Sequence, residues 1–283
     1  MIQNIFFFLT IIASTIFVAA IFAAQQEDFK AVAINEVIRD MSKDIFSSSD
    51  PVVIKKYLPE GGAPASMSSF VLFGGDDVVL VDAGLGGANW INKLTDLGVK
   101  PEKIKLILLT HMHNDHIGGL LNGNTRRFPN AVVLSAKLEH DYWLPKNAKA
   151  RTAQLEKIKT AYGNDFSKTF EFDEQVFANA SMKITALDAV GHTPGHTAFL
   201  VESSKSRLLI VGDLLHAAAL QFPVPDICSS YDMEPKNTVA SRKRILDFAV
   251  KQNIPIGGMH FPAPNIGTVK SNGQGGYEFV PVK

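Results

Sequence analysis

Short apolar runs, separated by glycines and polar turns, alternate in this chain with stretches whose apolar residues recur at helical spacing. Such short runs are typical of buried strands, whereas apolar spacing of three and four residues indicates a helix. The predicted strands are 52–58, 68–73, 78–81, 104–109, 131–134, 182–187, 198–202, 207–211 and 254–258. The predicted helices are 89–97, 136–144, 148–162 and 235–252.

This order of elements predicts one α/β domain, because strands come first and then alternate with helices. Residues 25–50 are polar, and we expect partial helix there without assigning the segment a role. A glycine-rich tail follows the last predicted strand. With no internal repeat, low-complexity linker or clear boundary, residues 25–283 are interpreted as a single domain.

The N-terminal segment is different, because residues 5–24 are apolar apart from two threonines and one serine. Alanines end the run and Gln25-Gln26-Glu27 follows, which is typical of a secretory signal peptide. No basic residue precedes the run, and its length also suits an uncleaved membrane anchor. We therefore expect residues 1–24 to direct export to the periplasm or the medium, with membrane attachment only if they stay uncleaved.

Composition narrows the classes of function. The chain has 283 residues, of which 46% are hydrophobic, so it can bury a sizeable core. Its 28 basic residues balance 28 acidic ones, without the basic excess of a nucleic-acid binder, and we expect no nucleic-acid partner. Cys228 is the only cysteine and has no histidine close in sequence, which argues against a disulfide and a thiol nucleophile.

Side chains that bind metals repeatedly follow the predicted strands. Asp82 ends one strand, and residues 111–116, with the sequence H-M-H-N-D-H, follow another. His192, Asp213 and His260 come after later strands. Strand ends are rigid, and the loops that leave them can converge within the tolerance that a metal site needs. The pattern therefore predicts a metal site built on strand ends.

Spacing within residues 111–116 favours two adjacent ions. His111, His113 and Asp115 alternate, so in an extended segment they point the same way, whereas His116 points elsewhere. Imidazole and carboxylate ligands without thiolate suit zinc, manganese, iron or cobalt. A lone histidine is usually a surface residue, and we interpret His140 in this way, but three histidines and an aspartate in six residues are too dense for that explanation.

The segment T-H-M-H-N-D-H-I-G at 110–118 resembles the H-x-H-x-D-H signature of the metallo-β-lactamase superfamily. The similarity continues through V-D-A-G at 81–84, G-H-T-P-G-H-T at 191–197, G-D at 212–213 and M-H at 259–260. It implies an α/β fold, a four-layer αββα sandwich with the metals at one edge of its two sheets.

The same resemblance implies a ligand set for two divalent ions, with zinc expected and manganese, iron or cobalt as alternatives. It assigns one ion to His111, His113 and His192, the other to Asp115, His116 and His260, and a bridging role to Asp213. Asp82 resembles the family's supporting aspartate, and His196 stands at a position that is not usually a ligand.

Asp213 also narrows the choice of branch within the superfamily, since true β-lactamases carry cysteine or serine at that position. The segments R-F-P-N-A at 127–131, D-Y-W-L at 141–144 and H-F-P-A-P-N-I-G at 260–267 are similar to methyl parathion hydrolase and its exported relatives. N-acyl homoserine lactonases are the next neighbours. That branch has a tyrosine three residues after the bridging aspartate, and His216 stands at this spacing here.

We therefore predict hydrolysis of a carboxylic ester, lactone or phosphotriester by hydroxide held between the two ions. Asp115 or Asp213 would take up the released proton, and His216 would bind the substrate oxygen or the leaving group. The alternative for His216 is a loop histidine that faces solvent.

The predicted substrate pocket contains Trp143, Trp90 and Phe261, with Phe222 more plausible as a core residue. We expect a small-molecule substrate as the partner, and the sequence does not decide whether the chain forms a homodimer. Three alternatives remain, namely an N-acyl homoserine lactonase, a non-catalytic exported metal-binding protein and a redox di-iron protein.

Overall fold

A computed structural model describes residues 29–46, 50–145 and 152–282. The predicted signal peptide and the start of the helix predicted over 148–162 lie outside these ranges. Within them the strands are β1 (Phe29–Ser42), β2 (Gly62–Gly74), β3 (Asp77–Val81), β4 (Ile104–Leu108), β5 (Leu121–Asn122), β6 (Thr125–Arg126), β7 (Val132–Ala136), β8 (Lys168–Phe170), β9 (Gln175–Ala178), β10 (Lys183–Asp188), β11 (Thr197–Glu202), β12 (Arg207–Ile210), β13 (Ile256–Gly257), β14 (Ile266–Ser271) and β15 (Tyr277–Pro281). The α-helices are α1 (Pro51–Tyr57), α2 (Ala88–Asp96), α3 (Asn114–Ile117), α4 (Lys137–Trp143), α5 (Ala153–Tyr162), α6 (Ala218–Gln221) and α7 (Pro235–Gln252).

Two sheets carry the fold. The first has the strand order β1-β2-β3-β4-β7-β8, and the second has the order β15-β14-β13-β12-β11-β10-β9. The pairs β3–β4, β4–β7 and β7–β8 are parallel, and so is β12–β13 in the second sheet. Strands β5 and β6 form a separate small hairpin.

Alternation along the strands divides the core into layers. Phe70 and Leu72 of β2 pack between the two sheets, whereas Val71 faces the opposite way, towards the helices. Helices α2 and α5 pack on that outer face of the first sheet. Helix α7 packs on the outer face of the second sheet through Ile245 and Leu246. This arrangement confirms the four-layer αββα sandwich that the resemblance implied.

Residues 52–57 lie in helix α1 and Leu58 follows its end, so the strand predicted over 52–58 is wrong. The Asp50 carboxylate accepts a hydrogen bond from the Val52 N–H at 2.8 Å, and Pro51 occupies the first helical turn. Such a cap and a proline at this position start a helix, and they outweigh the strand preference of Val52, Val53 and Ile54.

The expectation of partial helix within 25–50 is confirmed only at Lys43–Phe46, a single 3₁₀ turn, because β1 occupies most of the described part of that segment. β1 pairs with β2 from Phe29 opposite Gly74 to Ser42 opposite Gly62. Its polar side chains are explained by its place at the edge of the sheet. The glycine-rich tail contains the hairpin β14–β15, whereas the predicted strand at 254–258 is reduced to the two residues of β13. Among the described residues, no helix has the length and apolarity that crossing a bilayer requires.

Candidate metal centre

Four loops that leave strands of the two sheets converge at one edge of the sandwich. They follow β4, β10, β12 and β13, and the structure brings together on them all seven side chains that the sequence predicted as ligands. The side chains form two groups, and within each group the ligand atoms lie within 4.8 Å of one another. The first group is His111, His113, His192 and Asp213, and the second is Asp115, His116, Asp213 and His260.

Three imidazole nitrogens face one another in the first group. Nδ1 of His113 lies 2.9 Å from Nε2 of His111 and 3.0 Å from Nε2 of His192. Oδ2 of Asp213 lies 3.7 Å from the His111 nitrogen and 3.5 Å from the His192 nitrogen. A shared cation would satisfy all three nitrogen lone pairs at once, whereas protons could satisfy them only by charging buried rings.

Two imidazoles and two carboxylates meet in the second group. Nε2 of His260 lies 2.9 Å from Oδ2 of Asp213 and 3.6 Å from Oδ2 of Asp115. Nε2 of His116 lies 3.2 Å from Oδ1 of Asp213 and 3.6 Å from Oδ2 of Asp115. Asp213 belongs to both groups, and its two oxygens contact different rings, which suits a bridging ligand.

Asp82 orients His116 from outside the cluster. Its backbone has a φ of 57° where β3 ends, which directs the carboxylate towards the histidine-bearing loop. Oδ2 lies 2.7 Å from Nδ1 of His116, and the carboxylate also accepts hydrogen bonds from the backbone N–H and hydroxyl of Thr110. An acceptor at Nδ1 places the proton there and leaves the Nε2 lone pair facing the cluster.

Two further histidines are fixed in the same way. Nδ1 of His192 lies 3.0 Å from Oδ1 of Asp232, and Nδ1 of His260 lies 2.8 Å from the carbonyl oxygen of Ser66. Both partners are acceptors, so both rings carry their proton on Nδ1 and present an Nε2 lone pair inwards. The outer contacts therefore hold these rings in the tautomer that binds a metal.

Burial and charge set the protonation states of the cluster. Burial lowers the pKa of His113 and of His192 to about 4, so both rings are neutral at pH 7. Burial acts to raise the pKa of Asp213, but the histidines around it, His116 and His260 foremost, hold that pKa well below its usual value. Burial acts to lower the pKa of His116 and of His260, but the nearby Asp213 raises both above the ordinary value, so at these two rings a bound ion would take the place of a proton on Nε2. The neutral His113 and His192 rings beside an ionised Asp213 carboxylate are a donor set that fits divalent zinc, manganese, iron or cobalt.

Gly212 and His196 shape the turn that presents Asp213. Gly212 has a φ of 54°, and a Cβ there would lie 2.6 Å from Nε2 of His196. That nitrogen accepts a hydrogen bond from the backbone N–H of Asp213 at 3.0 Å, while Nδ1 donates to the Ala189 carbonyl. His196 thus supports the bridging residue from outside the ligand groups.

His216 is buried inside the site, with 1% of its surface exposed, so the alternative of a solvent-facing loop histidine is wrong. Neither ring nitrogen has a hydrogen-bond partner among the described residues. Nε2 lies 3.6 Å from Oδ2 of Asp213, and the ring stacks on His260 with 5.1 Å between centroids. A buried imidazole without partners at this position is available to contact a bound molecule.

The aromatic residues predicted for the pocket have different surroundings. The Trp143 ring stands edge-on to His113 with 5.7 Å between centroids, beside the first group. Trp90 contacts Phe128 in the core and donates its indole N–H to Ser69. Phe261 packs in the core against Phe222. Trp90 and Phe261 are fully buried among core residues, so their contacts give no support to the pocket assignment, which stays a prediction.

Three buried charged residues support the site and were not identified from the sequence. Asp232 contacts His192, and a guanidinium nitrogen of Arg242 lies 3.8 Å from Oδ2 of Asp232. Glu139 contacts the loops of the first group. Each stands outside the histidine motifs, and no local pattern distinguishes it from a surface charge. Only the tertiary fold brings these residues to the site.

Residues 63–257 match the family described as the Metallo-beta-lactamase superfamily. An N-acyl homoserine lactonase, AttM of Azorhizobium caulinodans, is 28% identical over 116 residues, which are 41% of this chain and 42% of that protein. The chain spans less than half the length of the curated relatives it matches.

Solved structures resemble the chain over most of its length. The hydrolase AbOPH of the beta lactamase superfamily superposes with a TM-score of 0.80 and 26% identity, over 94% of this chain and 98% of that one. AidC, a dizinc quorum-quenching lactonase solved with a product, has a TM-score of 0.77 and 23% identity, over 92% of this chain and 96% of that one. At that identity AidC supports the fold alone.

Proposed function

This chain belongs to the metallo-β-lactamase superfamily, and we propose that it hydrolyses an ester-like bond with two divalent metal ions, zinc being the first candidate. The observation that carries the proposal is the position of Asp213, whose oxygens contact both groups of imidazoles. Ions held in the two groups would polarise the scissile carbonyl or phosphoryl oxygen and activate water.

His216 is the residue that we assign to the substrate. Its ring lies between His192 and His260, at centroid distances of 5.0 Å and 5.1 Å, so it borders both groups. The N–H of this unpartnered ring can donate to the developing oxyanion or to the leaving-group oxygen. Such a donor stabilises the transition state more than the ground state, because the oxygen gains charge during the reaction.

Asp115 is better placed than Asp213 to take up the proton released in turnover. Its side chain is 21% exposed, whereas that of Asp213 is 3% exposed and surrounded by imidazoles. Partial exposure lets Asp115 pass a proton on to solvent, and Asp213 stays ionised as the shared carboxylate. Trp143 stands edge-on to His113, and we assign its apolar surface beside the first group to the substrate.

The proposal is tested by metal analysis of the purified protein together with a panel of carboxylic esters, lactones and phosphotriesters. We expect close to two ions per chain and turnover on at least one class. His113→Ala should lose most of the activity and one ion, whereas His140→Ala, on the partly exposed face of α4, should lose neither. Metal-independent turnover, or a full complement of metal without turnover on any class, would contradict the proposal.

A lactone is the second and narrower candidate, favoured by the similarity to N-acyl homoserine lactonases. Lactone opening uses the same groups as ester hydrolysis, so the site chemistry does not separate the two. The ratio of kcat/KM for N-acyl homoserine lactones to that for open-chain esters of matched acyl length decides between them. We expect the lactone to be preferred, and a preference for open-chain esters or phosphotriesters would reject this candidate.

We also propose that the chain acts outside the cytoplasm, on the basis of the apolar residues 5–24. Expression of the full chain followed by cell fractionation and N-terminal mass analysis tests this. Export with cleavage near residue 24 is expected. Retention of intact protein in the cytoplasm would contradict the proposal.

A further inference from the structure

Glu139, on α4, contacts the loop that carries His111 and His113. Its Oε1 accepts a hydrogen bond from the backbone N–H of Met112 at 2.9 Å. The same oxygen accepts from the indole N–H of Trp143 at 2.6 Å, and that ring packs edge-on against His113. One oxygen of Glu139 thus restrains both the backbone between the two histidines and an aromatic neighbour of one of them.

The other oxygen of Glu139 contacts the loop that carries His192. Oε2 accepts from the Thr193 hydroxyl at 2.7 Å and from the backbone N–H of Gly195 at 2.9 Å. A Cβ on Gly195 would lie 2.1 Å from the Glu139 backbone nitrogen, so a glycine is required for the helix to approach the loop this closely. The three histidines of the first group therefore stand on two loops that one carboxylate connects.

The contacts of Glu139 suit a carboxylate and no other side chain of this size. All four partners donate, and the residue is fully buried. An ionised carboxylate only accepts hydrogen bonds, so each contact is matched. Glutamine would direct an amide N–H at one or more groups that can only donate, and apolar residues would leave four buried donors without a partner.

We propose that Glu139 is a positioning residue for the first metal, acting by holding the loops of His113 and His192 at a fixed separation. The inference rests on the proposed function, since it assumes that the first group binds an ion. Ligand atoms must hold their geometry within about 0.5 Å, and loss of an outer hydrogen-bond partner typically lowers metal affinity or activity roughly 10- to 100-fold.

Glu139→Gln in the metal-loaded protein tests the proposal. We expect one of the two ions to bind about 10- to 100-fold more weakly in competition with a chelator, and the other ion to be unaffected. The cobalt-substituted variant should show an altered visible absorption spectrum, because the coordination geometry of one site changes. Asp141→Asn is the matched control, as Asp141 lies two residues along the same helix, is exposed and pairs with Lys137 and His140, neither of which is a predicted ligand.

A second control separates positioning from simple loss of stability. Glu36 is also a buried carboxylate that accepts from backbone N–H groups, namely those of residues 85–87, but that loop carries none of the predicted ligands. Glu36→Gln should lower the unfolding temperature yet keep the wild-type cobalt spectrum. Thr193→Val removes one of the four donors and should give a smaller change in the spectrum than Glu139→Gln.

Failure of the proposed function and failure of the Glu139 positioning role give different results. Wild-type protein that binds no metal would reject the proposed function itself. Wild-type protein that binds two ions, with Glu139→Gln and Thr193→Val both retaining the wild-type metal affinities and cobalt spectrum, would overturn the positioning role alone. If Glu139→Gln does not fold, Thr193→Val decides the question.

Discussion

Nδ1 of His192 lies 3.0 Å from Oδ1 of Asp232, forty residues further along the chain. The other oxygen of Asp232 accepts from the backbone N–H of Ser229 at 2.7 Å, so the carboxylate is held on both sides. Burial acts to raise the pKa of Asp232, but the bond to His192 and the nearby His216 lower it to about 2. At neutral pH Asp232 is therefore an ionised acceptor that fixes the tautomer of a predicted ligand.

Asp232→Asn should weaken metal binding at the first group by roughly 10-fold, because an amide holds the His192 ring less firmly than a carboxylate. Chelator competition measures the change. Asp226→Asn is the control, since Asp226 is exposed and pairs with Lys243. Equal affinities in the two variants would show that the Asp232 charge has no part in metal binding.

Arg242 holds the loop between Asp213 and Asp232. Its guanidinium is fully buried and donates to the carbonyl oxygens of Leu214, Pro225 and Ile227, each at 2.7 Å. Arg242→Met should lower the free energy of unfolding by about 3–5 kcal/mol, because three buried carbonyls each lose a donor and the Asp232 carboxylate loses the positive charge that lies 3.8 Å away.

Urea unfolding of Arg242→Met beside Lys243→Met checks this prediction. Lys243 is the next residue and makes an exposed pair, which contributes about 0–1 kcal/mol. A loss below about 1 kcal/mol for Arg242→Met would mean that the buried guanidinium is replaceable by an apolar side chain.

Asp213→Asn should reduce the metal content from two ions towards one. The neutral amide can no longer balance charge in both groups, and the expected loss of activity exceeds the roughly 10- to 100-fold effect of an outer partner. Elemental analysis gives the metal content, and initial rates on the substrate that the wild-type protein hydrolyses fastest give the activity. Two tightly bound ions and near-normal turnover in this variant would rule out a bridging role for Asp213.

His216→Ala should lower kcat/KM about 100-fold while leaving the metal content unchanged, because the ring borders the site without being one of the seven predicted ligands. His216 also lies with His192 and Asp232 in a third group of possible ligands, so the metal content has to be measured. Rates and metal content are measured on the same preparation. A drop in metal content would instead assign His216 to coordination, and an unchanged kcat/KM would remove it from the reaction.

Stability of the metal-free protein should fall as the pH drops from about 6.5 to about 4. Burial lowers the pKa of His192 to about 4 and that of His196 to about 3, below the ordinary value of about 6.5. In that range the unfolded chain binds protons that the folded chain excludes, so each histidine costs up to about 1.4 kcal/mol per pH unit. Burial raises the pKa of Glu139, which offsets part of the slope.

Urea unfolding of chelator-treated protein at a series of pH values measures this slope. The loss attributable to these two histidines should be absent above about pH 6.5 and grow steadily below it. A free energy of unfolding that stays constant, or rises, between pH 6.5 and pH 4 would contradict the prediction.

The sequence by itself determined the core of the fold and the chemistry of the site. Helix α7, predicted over 235–252, has those bounds in the structure, because a proline near its start and a long amphipathic pattern are local signals. The histidine motif and the strand-end positions of His192, Asp213 and His260 identify the candidate ligands from the sequence alone. These features follow from short-range pattern or from motif spacing, which a sequence displays directly.

Tertiary structure alone decided what lies around the ligands. Edge strand β1 was not predicted, because its pairing with β2 is long-range. Helix α1 was predicted as a strand although its Asp50-Pro51 start is a local signal, so that error was one of interpretation. Glu139, Asp232 and Arg242 are ordinary charged residues in the sequence, and burial against partners many positions away gives them their roles. A hydrogen bond across such a separation depends on how the chain folds, and for that reason no local pattern could reveal it.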